Sequence, residues 1–490
     1  MNKKNFFLTL LLTLITVLFI LNLGFINDSL NFSGSNAYSI AKELSSAEYD
    51  GRKPGTTGNI KALRYTEGQI SKNTGFTFYH QSFEALVPEL TDTPVFELLK
   101  EDGSTVKIYY HRKDFKEYID GYASGGEFVS NFIVDKENVE SAIGKKFKDK
   151  IVVVNNNYLG YPFEDKIYIN AGVKVLIFPV SSENVKKASG YVGESKEKYI
   201  KDGLKLIKIG VTESVYDFLI KLDKDNKNGS GYKLKISVPL IFKMVQTENL
   251  IAIKMSNSSS IKKDIESKYL TLTAHIDHLG KDPSGKFFPG ALDNGSGVGF
   301  VLEMARVLSL KVLDANLVII LFNAEENGLV GSHFYSLYPL FPLDKTEIFN
   351  FDMIGASEKS VLSLLYYETN FSSKMTKVSK QIKDFFSQEG KYLSVDSMSE
   401  DTDHYFFNLC GTSAYSFNQF PETNYHTYND TIENVSPVEL ESIGKTFEKY
   451  IVANYSTETK AASISLLNLL LIAGFVLLRL KQEISYGKKI

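Results

Sequence analysis

Three apolar runs of the sequence end on side chains that can bind divalent metals. The residues at these ends are, in chain order, His275, Asp277, Glu325, Glu326 and Asp352. Imidazole nitrogens and carboxylate oxygens are ligands that zinc accepts in catalytic sites. The residue types therefore predict a site for divalent metal ions.

The runs that carry these side chains are short and rich in β-branched residues. They span residues 269–276, 316–322 and 347–351. We predict that they form buried strands. Open α/β sheets place their sites at the carboxyl ends of strands, so the side chains there are expected to meet.

Asp293 stands between the first two runs, in the glycine-rich segment 290–297. Glycine permits the sharp turn that such a segment needs. Residues 298–310 then show helical periodicity, and a carboxylate is favoured just ahead of a helix N-terminus. We therefore expect Asp293 to join the same site.

A further imidazole lies downstream, at His426, next to Tyr425. Both residues belong to a polar loop that follows another strand-like run at 413–417. His404, in the segment 401–407, is ambiguous between a wall of the substrate cleft and a structural hydrogen-bonding role. Three other residues are interpreted as structural: His278, His333 and Tyr335.

These segments resemble the co-catalytic zinc aminopeptidase family that includes bacterial leucyl aminopeptidases, aminopeptidase Y and, more distantly, glutamate carboxypeptidase II. The matching motifs are AHIDHLG (274–280), ALDNGSG (291–297), NAEENGLVGS (323–332), NFDMIG (350–355) and YH (425–426). Their order along the chain is that of the family. Single motifs of this kind are weak signals, whereas the ordered set is specific.

The resemblance implies a centre of two Zn²⁺ ions per chain. His275 and Asp352 would bind one ion, Glu326 and His426 would bind the other, and Asp293 would bridge both. The implied substrates are peptides, and the implied reaction is removal of the N-terminal residue.

The resemblance also implies roles for three neighbours of these ligands. Glu325 would be the general base, which takes a proton from the attacking water and returns it to the leaving amine. Asp277 would orient the imidazole of His275, as carboxylates often do for metal-bound histidines. Tyr425 would be a candidate donor to the oxyanion, with simple packing as the alternative.

The fold that the resemblance implies is α/β: a three-layer α/β/α zinc-peptidase domain with a mixed central sheet and an inserted mainly-β protease-associated domain. We also predict a transmembrane helix at each end. Its boundaries are 36–87 for the N-terminal part of the peptidase domain, 88–245 for the insertion and 246–456 for the catalytic part. The strand-like runs 150–154 and 171–178 are the clearest in the insertion.

Two uncharged apolar runs lie near the ends of the chain, at residues 6–26 and 461–478. Each is long enough for a membrane span, which needs about 20 residues. Lysines beyond both runs predict that both termini are cytoplasmic and that the body lies outside, anchored to the cell membrane.

Composition narrows the partners of the protein. A net charge of −3 argues against nucleic acid as a partner. The single cysteine, Cys410, excludes an intrachain disulfide.

Three alternatives stay open beside the aminopeptidase. A carboxypeptidase of the same family would need a cationic pocket, and the body holds only Arg52, Arg64, Arg112 and Arg306. A glutaminyl cyclase of the same fold would not be expected to keep all five ligands. A non-catalytic receptor-like relative should have lost some of them.

Overall fold

Two helices and one long strand begin the described chain. The structure, a computed structural model, describes residues 31–135, 139–143, 147–155, 158–192, 196–227, 231–256, 268–357, 360–369, 373–420 and 423–456. The first elements are α1 (Gly34–Leu44), α2 (Thr57–Ser71) and β1 (Phe76–Leu90). The hydroxyls of Ser33 and Thr56 accept hydrogen bonds from the N–H groups of Asn36 and Asn59, which caps both helices.

Residues 91–239, called the inserted region below, follow β1. Their elements are β2 (Val95–Leu99), β3 (Thr105–Tyr109), β4 (Phe115–Glu117), β5 (Gly126–Ser130), β6 (Phe132–Asp135), β7 (Lys150–Val154), α3 (Pro162–Asn170), β8 (Val173–Val180), α4 (Lys196–Lys201), β9 (Ile207–Thr212), α5 (Glu213–Lys227) and β10 (Lys233–Val238). The strands form two sheets, ordered β3-β2-β10-β5 and β4-β9-β8-β7-β6.

The inserted region is less purely β than predicted. Strands β6 to β9 pair in parallel, which requires crossover connections, and α3 is one of the helices between them. On β7, Ile151 and Val153 pack into the core shared by the two sheets, whereas Val152 and Val154 pack with Tyr168 of α3. A strand that is buried on both faces is a continuous apolar run. The sequence therefore predicted β7 but gave no sign of the helix that covers one of its faces.

The catalytic region continues from residue 240 to residue 456. Its elements are β11 (Leu240–Lys254), β12 (Tyr269–His275), α6 (Gly297–Ser309), β13 (Asn316–Phe322), α7 (Val330–Leu337), β14 (Thr346–Phe351), β15 (Val361–Leu365), α8 (Ser373–Gln388), β16 (Ser394–Asp396), α9 (Tyr405–Leu409), β17 (Ser413–Phe420) and α10 (Pro437–Tyr455). Each strand-like run that was predicted in this region forms a strand.

The central sheet has eight strands in the order β1-β11-β13-β12-β14-β17-β15-β16. Strands β13, β12, β14 and β17 are parallel, and the antiparallel strand β11 continues the sheet on one side. Both faces are buried: Leu317 and Ile319 of β13 pack with Phe300 of α6, whereas Ile320 packs with Tyr335 of α7. This double coverage explains why the strands are continuous apolar runs.

The fold class needs one correction. No helix within the described ranges is both long and apolar enough to cross a membrane. The runs 6–26 and 461–478 that carried the transmembrane prediction lie outside those ranges. The structure is thus an α/β fold with a mixed eight-stranded sheet and two smaller sheets, and the predicted transmembrane helices and membrane localisation are withdrawn.

Strands β1 and β11 join the inserted region to the catalytic region. They pair antiparallel along their whole length, from Phe76 opposite Lys254 to Leu90 opposite Leu240. The chain therefore enters and leaves the inserted region through two directly paired residues.

Candidate active site

The parallel strands deliver three of the predicted residues to one edge of the sheet. His275 is the last residue of β12, and it lies opposite Phe322, the last residue of β13. Asp352 directly follows β14, the other neighbour of β12. Glu325 follows β13 by three residues, so all three side chains reach the same edge.

Asp293 reaches this edge on a tight turn. Gly290 has φ +57°, and a Cβ there would lie 2.4 Å from the carbonyl oxygen of Asp293, so only glycine fits. The carboxylate of Asp430 accepts hydrogen bonds from the N–H groups of Leu292 and Asp293 at 2.9 and 3.0 Å. Asp430 fixes the turn through backbone contacts, which is why its sequence position did not identify it.

Three side chains form a first group of possible metal ligands. Nε2 of His275 lies 3.2 Å from Oδ1 of Asp293 and 3.4 Å from Oδ1 of Asp352. One ligand atom from each residue lies within 4.8 Å of the others, and all three residues are buried.

A second group lies on the other oxygen of Asp293. Nε2 of His426 lies 3.2 Å from Oδ2 of Asp293 and 2.9 Å from Oε2 of Glu326. The other oxygen of Glu326, Oε1, is 2.6 Å from Nδ1 of His278, and His278, Asp293 and Glu326 together also have metal-ligand geometry. His278 was interpreted as structural, but the structure brings it to a predicted ligand. The motif AHIDHLG contained it, so the signal was present.

Asp277 contacts the turn that carries both glutamates. Its Oδ1 accepts a hydrogen bond from the N–H of Glu325 at 3.1 Å, and its Oδ2 accepts one from the N–H of Glu326 at 3.3 Å. Oδ1 also lies 3.8 Å from Nδ1 of His275. Asp277 therefore links the end of β12 to the turn after β13, a wider role than orienting one imidazole.

Arg52 is a buried cation behind the acidic cluster. Its guanidinium donates hydrogen bonds only to backbone carbonyls, those of Leu44, Ile276, Pro289, Gly290 and Asp293. Four of these five carbonyls directly follow His275 or belong to the turn that carries Asp293. Burial lowers the pKa of Arg52, and the nearby charges of Asp293 and Asp430 act in the opposite direction.

Burial and crowding set the protonation of the acids. Burial, with the neighbouring charges of Asp352 and Asp403, raises the pKa of Glu325 well above its usual value. A carboxylate with a raised pKa is suited to take up a proton. Burial acts on Glu326 in the same direction, but the charges of His426 and His278 outweigh it and lower the pKa of Glu326 to about 2.

The inserted region touches the second group directly. The N–H of Ala188 donates a hydrogen bond to the carbonyl oxygen of His426 at 2.9 Å. The amide of Asn327, next to Glu326, donates to the carbonyl oxygen of Gly190 at 3.1 Å. A Cβ at Gly190 would lie 2.8 Å from the carbonyl oxygen of Glu326, so the two backbones are in close contact. We call residues 187–190 the clamp segment.

Both groups open into one cavity of about 1070 Å³ between the two regions. Its wall includes the carboxylates Asp120, Asp293, Glu325, Glu326, Asp352, Glu400 and Asp401. Among the described residues, no lysine or arginine lines it. The cavity wall is thus rich in carboxyl groups.

The remaining predicted residues fall into two classes. Tyr425 lines the cavity, and the ammonium of Lys187 lies 3.7 Å from the centre of its ring. His404 is fully buried and pairs with the hydroxyl of Thr402 at 2.7 Å, so the structure gives it the structural role. His333 stacks on Phe406, which agrees with its structural interpretation.

The donor atoms fit zinc. Each group combines imidazole nitrogen with carboxylate oxygen, the mixed set that catalytic zinc sites use. Asp293 contributes one oxygen to each group, which is the arrangement a bridging ligand requires.

Comparison with known proteins agrees with this site. Residues 251–451 match the profile of "Peptidase family M28". The chain is 33% identical over 223 residues to "Aminopeptidase YwaD" of Bacillus subtilis, which covers 42% of this chain and 46% of that protein. It is 35% identical over 128 residues to an "Aminopeptidase" of Pseudomonas aeruginosa, which covers 25% of this chain and 21% of that protein. The chain thus spans less than half the length of these curated relatives.

Solved structures share the fold over a longer stretch. An aminopeptidase from Aneurinibacillus sp. strain AM-1 has a TM-score of 0.66 at 21% identity and covers 87% of this chain and 95% of its own. BSAP, a zinc aminopeptidase from Bacillus subtilis, has a TM-score of 0.65 at 22% identity, with 87% and 96% covered. The predicted resemblance to the zinc aminopeptidase family is confirmed.

Proposed function

We propose that this chain, whose catalytic region belongs to peptidase family M28, is an aminopeptidase that uses two zinc ions to remove N-terminal residues from peptides. One observation carries the proposal: the two oxygens of Asp293 face two separate imidazoles, His275 and His426, each beside a further carboxylate. We assign His275, Asp293 and Asp352 to one ion, and Asp293, Glu326 and His426 to the other.

His426 is the better second imidazole because it faces the substrate cavity. His278 does not line that cavity, and its ring nitrogen instead contacts the outer oxygen of Glu326. We therefore assign His278 as a positioning residue that orients Glu326, in the manner of hydrogen-bonded partners of metal ligands.

The chain's own groups divide the work of peptide hydrolysis. Zinc ions bound here would supply Lewis-acid polarisation of the scissile carbonyl and activation of water. Glu325, exposed to the cavity with Oε2 3.9 Å from Nε2 of His275, accepts the proton of the attacking water and returns it to the leaving amine. Asp277 holds the Glu325–Glu326 turn, and Tyr425 is the candidate donor to the oxyanion.

The acidic cavity favours a substrate amine over a substrate carboxylate. A carboxypeptidase would need a cation, usually arginine, to bind the C-terminal carboxylate. Arg52 is spent on backbone carbonyls, and Arg112 pairs with the buried Glu117 at 2.6 Å. Glu400 and Asp401, outside the ligand set, add negative charge to the cavity wall. A glutaminyl cyclase that binds one zinc ion would not require the second group of metal ligands.

The inserted region is proposed to be a protease-associated domain. Two small sheets, joined to the catalytic region by β1 and β11, support this assignment. The clamp segment gives the region a part in the metal centre beyond covering the cleft.

The function is tested by measuring zinc content beside hydrolysis of amino-acid 4-nitroanilides and their N-acetylated counterparts. We expect two zinc ions per chain and cleavage of the free amines only. Equal cleavage of acetylated substrates would refute the exopeptidase assignment. One zinc per chain with full activity would refute the two-metal assignment.

A further inference from the structure

The inserted region presents three exposed apolar side chains to the active-site cavity. Leu159, Tyr161 and Tyr191 are 69%, 54% and 60% exposed, and all three line the cavity that holds the metal ligands. We call these three residues the aromatic shelf, because two of the three are tyrosines. Exposed apolar patches of this kind commonly mark binding surfaces.

The backbone of two shelf residues, Leu159 and Tyr161, is fixed. One carboxylate oxygen of the buried Glu164 accepts hydrogen bonds from the N–H groups of Leu159 and Tyr161, both at 3.0 Å. The ring of Tyr161 stacks on Phe163, with centroids 5.8 Å apart and planes 14° apart. Pro162 begins helix α3 directly after Tyr161. A tyrosine on a fixed backbone loses little conformational entropy on binding, as in antibody recognition surfaces.

We propose that the aromatic shelf binds peptide side chains that lie C-terminal to the scissile bond. The inference rests on the proposed function and extends it to a substrate class: oligopeptides whose third or fourth residue is apolar. Continuity with the cavity commits the shelf to the substrate, because a peptide held at the metal ligands continues into the same space.

The first residue of the substrate has a different wall. Met353 directly follows Asp352, Tyr425 directly precedes His426, and both line the cavity beside the ligands. No shelf residue is next to a ligand in the chain, and all three belong to the inserted region. A side chain N-terminal to the scissile bond therefore meets the catalytic region first.

The size of the cavity supports an extended substrate. Its volume of about 1070 Å³ slightly exceeds the range for whole small-molecule pockets, which is about 300 to 1000 Å³. A single amino-acid residue would leave most of this space filled with water. Several residues are needed to use it, and the shelf offers them apolar contact.

The experiment compares peptides that differ only beyond the second residue. Zinc-loaded full-length enzyme is given leucine 4-nitroanilide, Leu-Ala, Leu-Ala-Ala-Ala and Leu-Ala-Phe-Phe. A variant carrying Leu159→Ser, Tyr161→Ser and Tyr191→Ser removes the shelf. Tyr392→Ser is the matched control, because Tyr392 is 74% exposed and does not line the cavity. Zinc content and thermal unfolding establish that each variant is folded.

We expect the wild-type enzyme to prefer Leu-Ala-Phe-Phe over Leu-Ala-Ala-Ala by about tenfold in kcat/KM, a common size for apolar discrimination. The shelf variant should lose this preference and keep its rate on the anilide and the dipeptide. The control variant should keep both.

Two results would overturn the shelf proposal while leaving the aminopeptidase intact. One is a wild-type enzyme that cleaves the two tetrapeptides equally. The other is a shelf variant that slows the anilide as much as the tetrapeptides, which would make the shelf part of the first residue's pocket. Failure of the wild-type enzyme to cleave any free amine would instead refute the proposed function, and the shelf proposal with it.

Discussion

The two halves of the proposed metal centre are built in different ways. The first half, His275 and Asp352, stands at the ends of two neighbouring parallel strands, β12 and β14. The second half, Glu326 and His426, stands on connections after β13 and β17, and the clamp segment of the inserted region holds both. Asp293 touches each half with a different oxygen.

The difference is one of support. A strand end is fixed by ladder hydrogen bonds and by a core on both faces of the sheet. A connection has no such frame and depends on whatever packs against it. The catalytic sheet therefore positions the first half, whereas the second half is held by Asp277 and His278 and, in addition, by the inserted region. Five predictions test this contrast.

Removal of the shared ligand Asp293 should weaken zinc binding at both halves of the centre. Asp293→Ala takes one ligand oxygen from each half, so zinc content should fall from about two per chain to below one, and activity should be lost. Metal analysis after gel filtration, beside anilide hydrolysis, measures both effects. Asp344→Ala, which removes an exposed carboxylate far along the chain, is the control. Loss of only one ion would mean that Asp293 does not bridge.

The adjacent glutamates should separate proton transfer from metal binding. Glu325→Gln cannot accept a proton, so it should keep both ions while kcat falls by about 10² to 10⁴. Glu326→Gln exchanges an anionic ligand for a neutral one, so it should lose the second ion first and recover part of its rate in excess zinc. Rates must be compared at saturating zinc. The reverse pattern would exchange the two roles.

The variant Tyr425→Phe tests whether a residue beside His426 also stabilises the transition state. If the hydroxyl of Tyr425 donates to the oxyanion, Tyr425→Phe should lower kcat by about 10² to 10³ with little change in substrate binding. Zinc content should stay at the wild-type level. Steady-state kinetics on the anilide series give the answer, and an unchanged kcat would leave Tyr425 as a packing residue against Lys187.

The clamp segment offers the most direct test of the contrast. Ala188→Pro removes the N–H that donates to the carbonyl oxygen of His426. Because the loss of such outer partners costs about 10 to 100-fold in metal affinity, the second zinc should bind that much more weakly. The first zinc should bind as before. Zinc titration against a competing chelator resolves the two sites.

Ala188→Gly is the matched control, since it keeps the N–H and removes only a methyl group. It should bind both ions like the wild-type enzyme. Equal weakening of both sites in Ala188→Pro would show a general loss of structure and would contradict the division into halves.

The smallest effect on the centre is expected from a buried ion pair behind the clamp. Glu117 lies 2.6 Å from Arg112, which in turn donates to the carbonyl oxygen of Lys187 at 3.0 Å. Burial works against the charge of Glu117, but Arg112 and His111 outweigh it and lower its pKa. Its contribution to stability is therefore present above the ordinary glutamate pKa of about 4.3 and is lost as the pH falls through the lower folded value.

Glu117→Gln should thus destabilise the protein by about 3 to 5 kcal/mol at pH 7, the usual cost of breaking a buried pair. The difference from wild type should shrink as the pH falls below about 4.3. Denaturant unfolding over a pH series measures it, with the partly exposed Glu97→Gln as control. A difference that is constant with pH would mean that the charge of Glu117 is not what stabilises the inserted region.

The first half of the centre was the more predictable from sequence. Apolar runs mark strands, and His275 and Asp352 sit where those runs stop. The position of Asp293 was predictable for a similar reason, because the glycines around it indicate a tight turn. These signals are local, because they depend on residues next to each other in the chain.

The supports of the second half could not be predicted in this way. Ala188 acts through a backbone N–H, which every residue except proline carries, so its side chain gives no signal. Arg52 acts on five carbonyls, four of which are more than 200 residues from it in the chain. The prediction of transmembrane helices was wrong for another reason. It rested on hydropathy alone, and no helix among the described residues could span a membrane.

The pairing of Leu90 with Leu240 gives the inserted region the topology of a very long hairpin loop. A two-residue turn could close β1 onto β11 without disturbing any other strand of the central sheet. Backbone connectivity therefore allows the region to be gained, lost or exchanged as a module in a single event. The hydrogen bond from Ala188 to His426 ties that module to the chemistry, so a replacement would have to bring its own clamp.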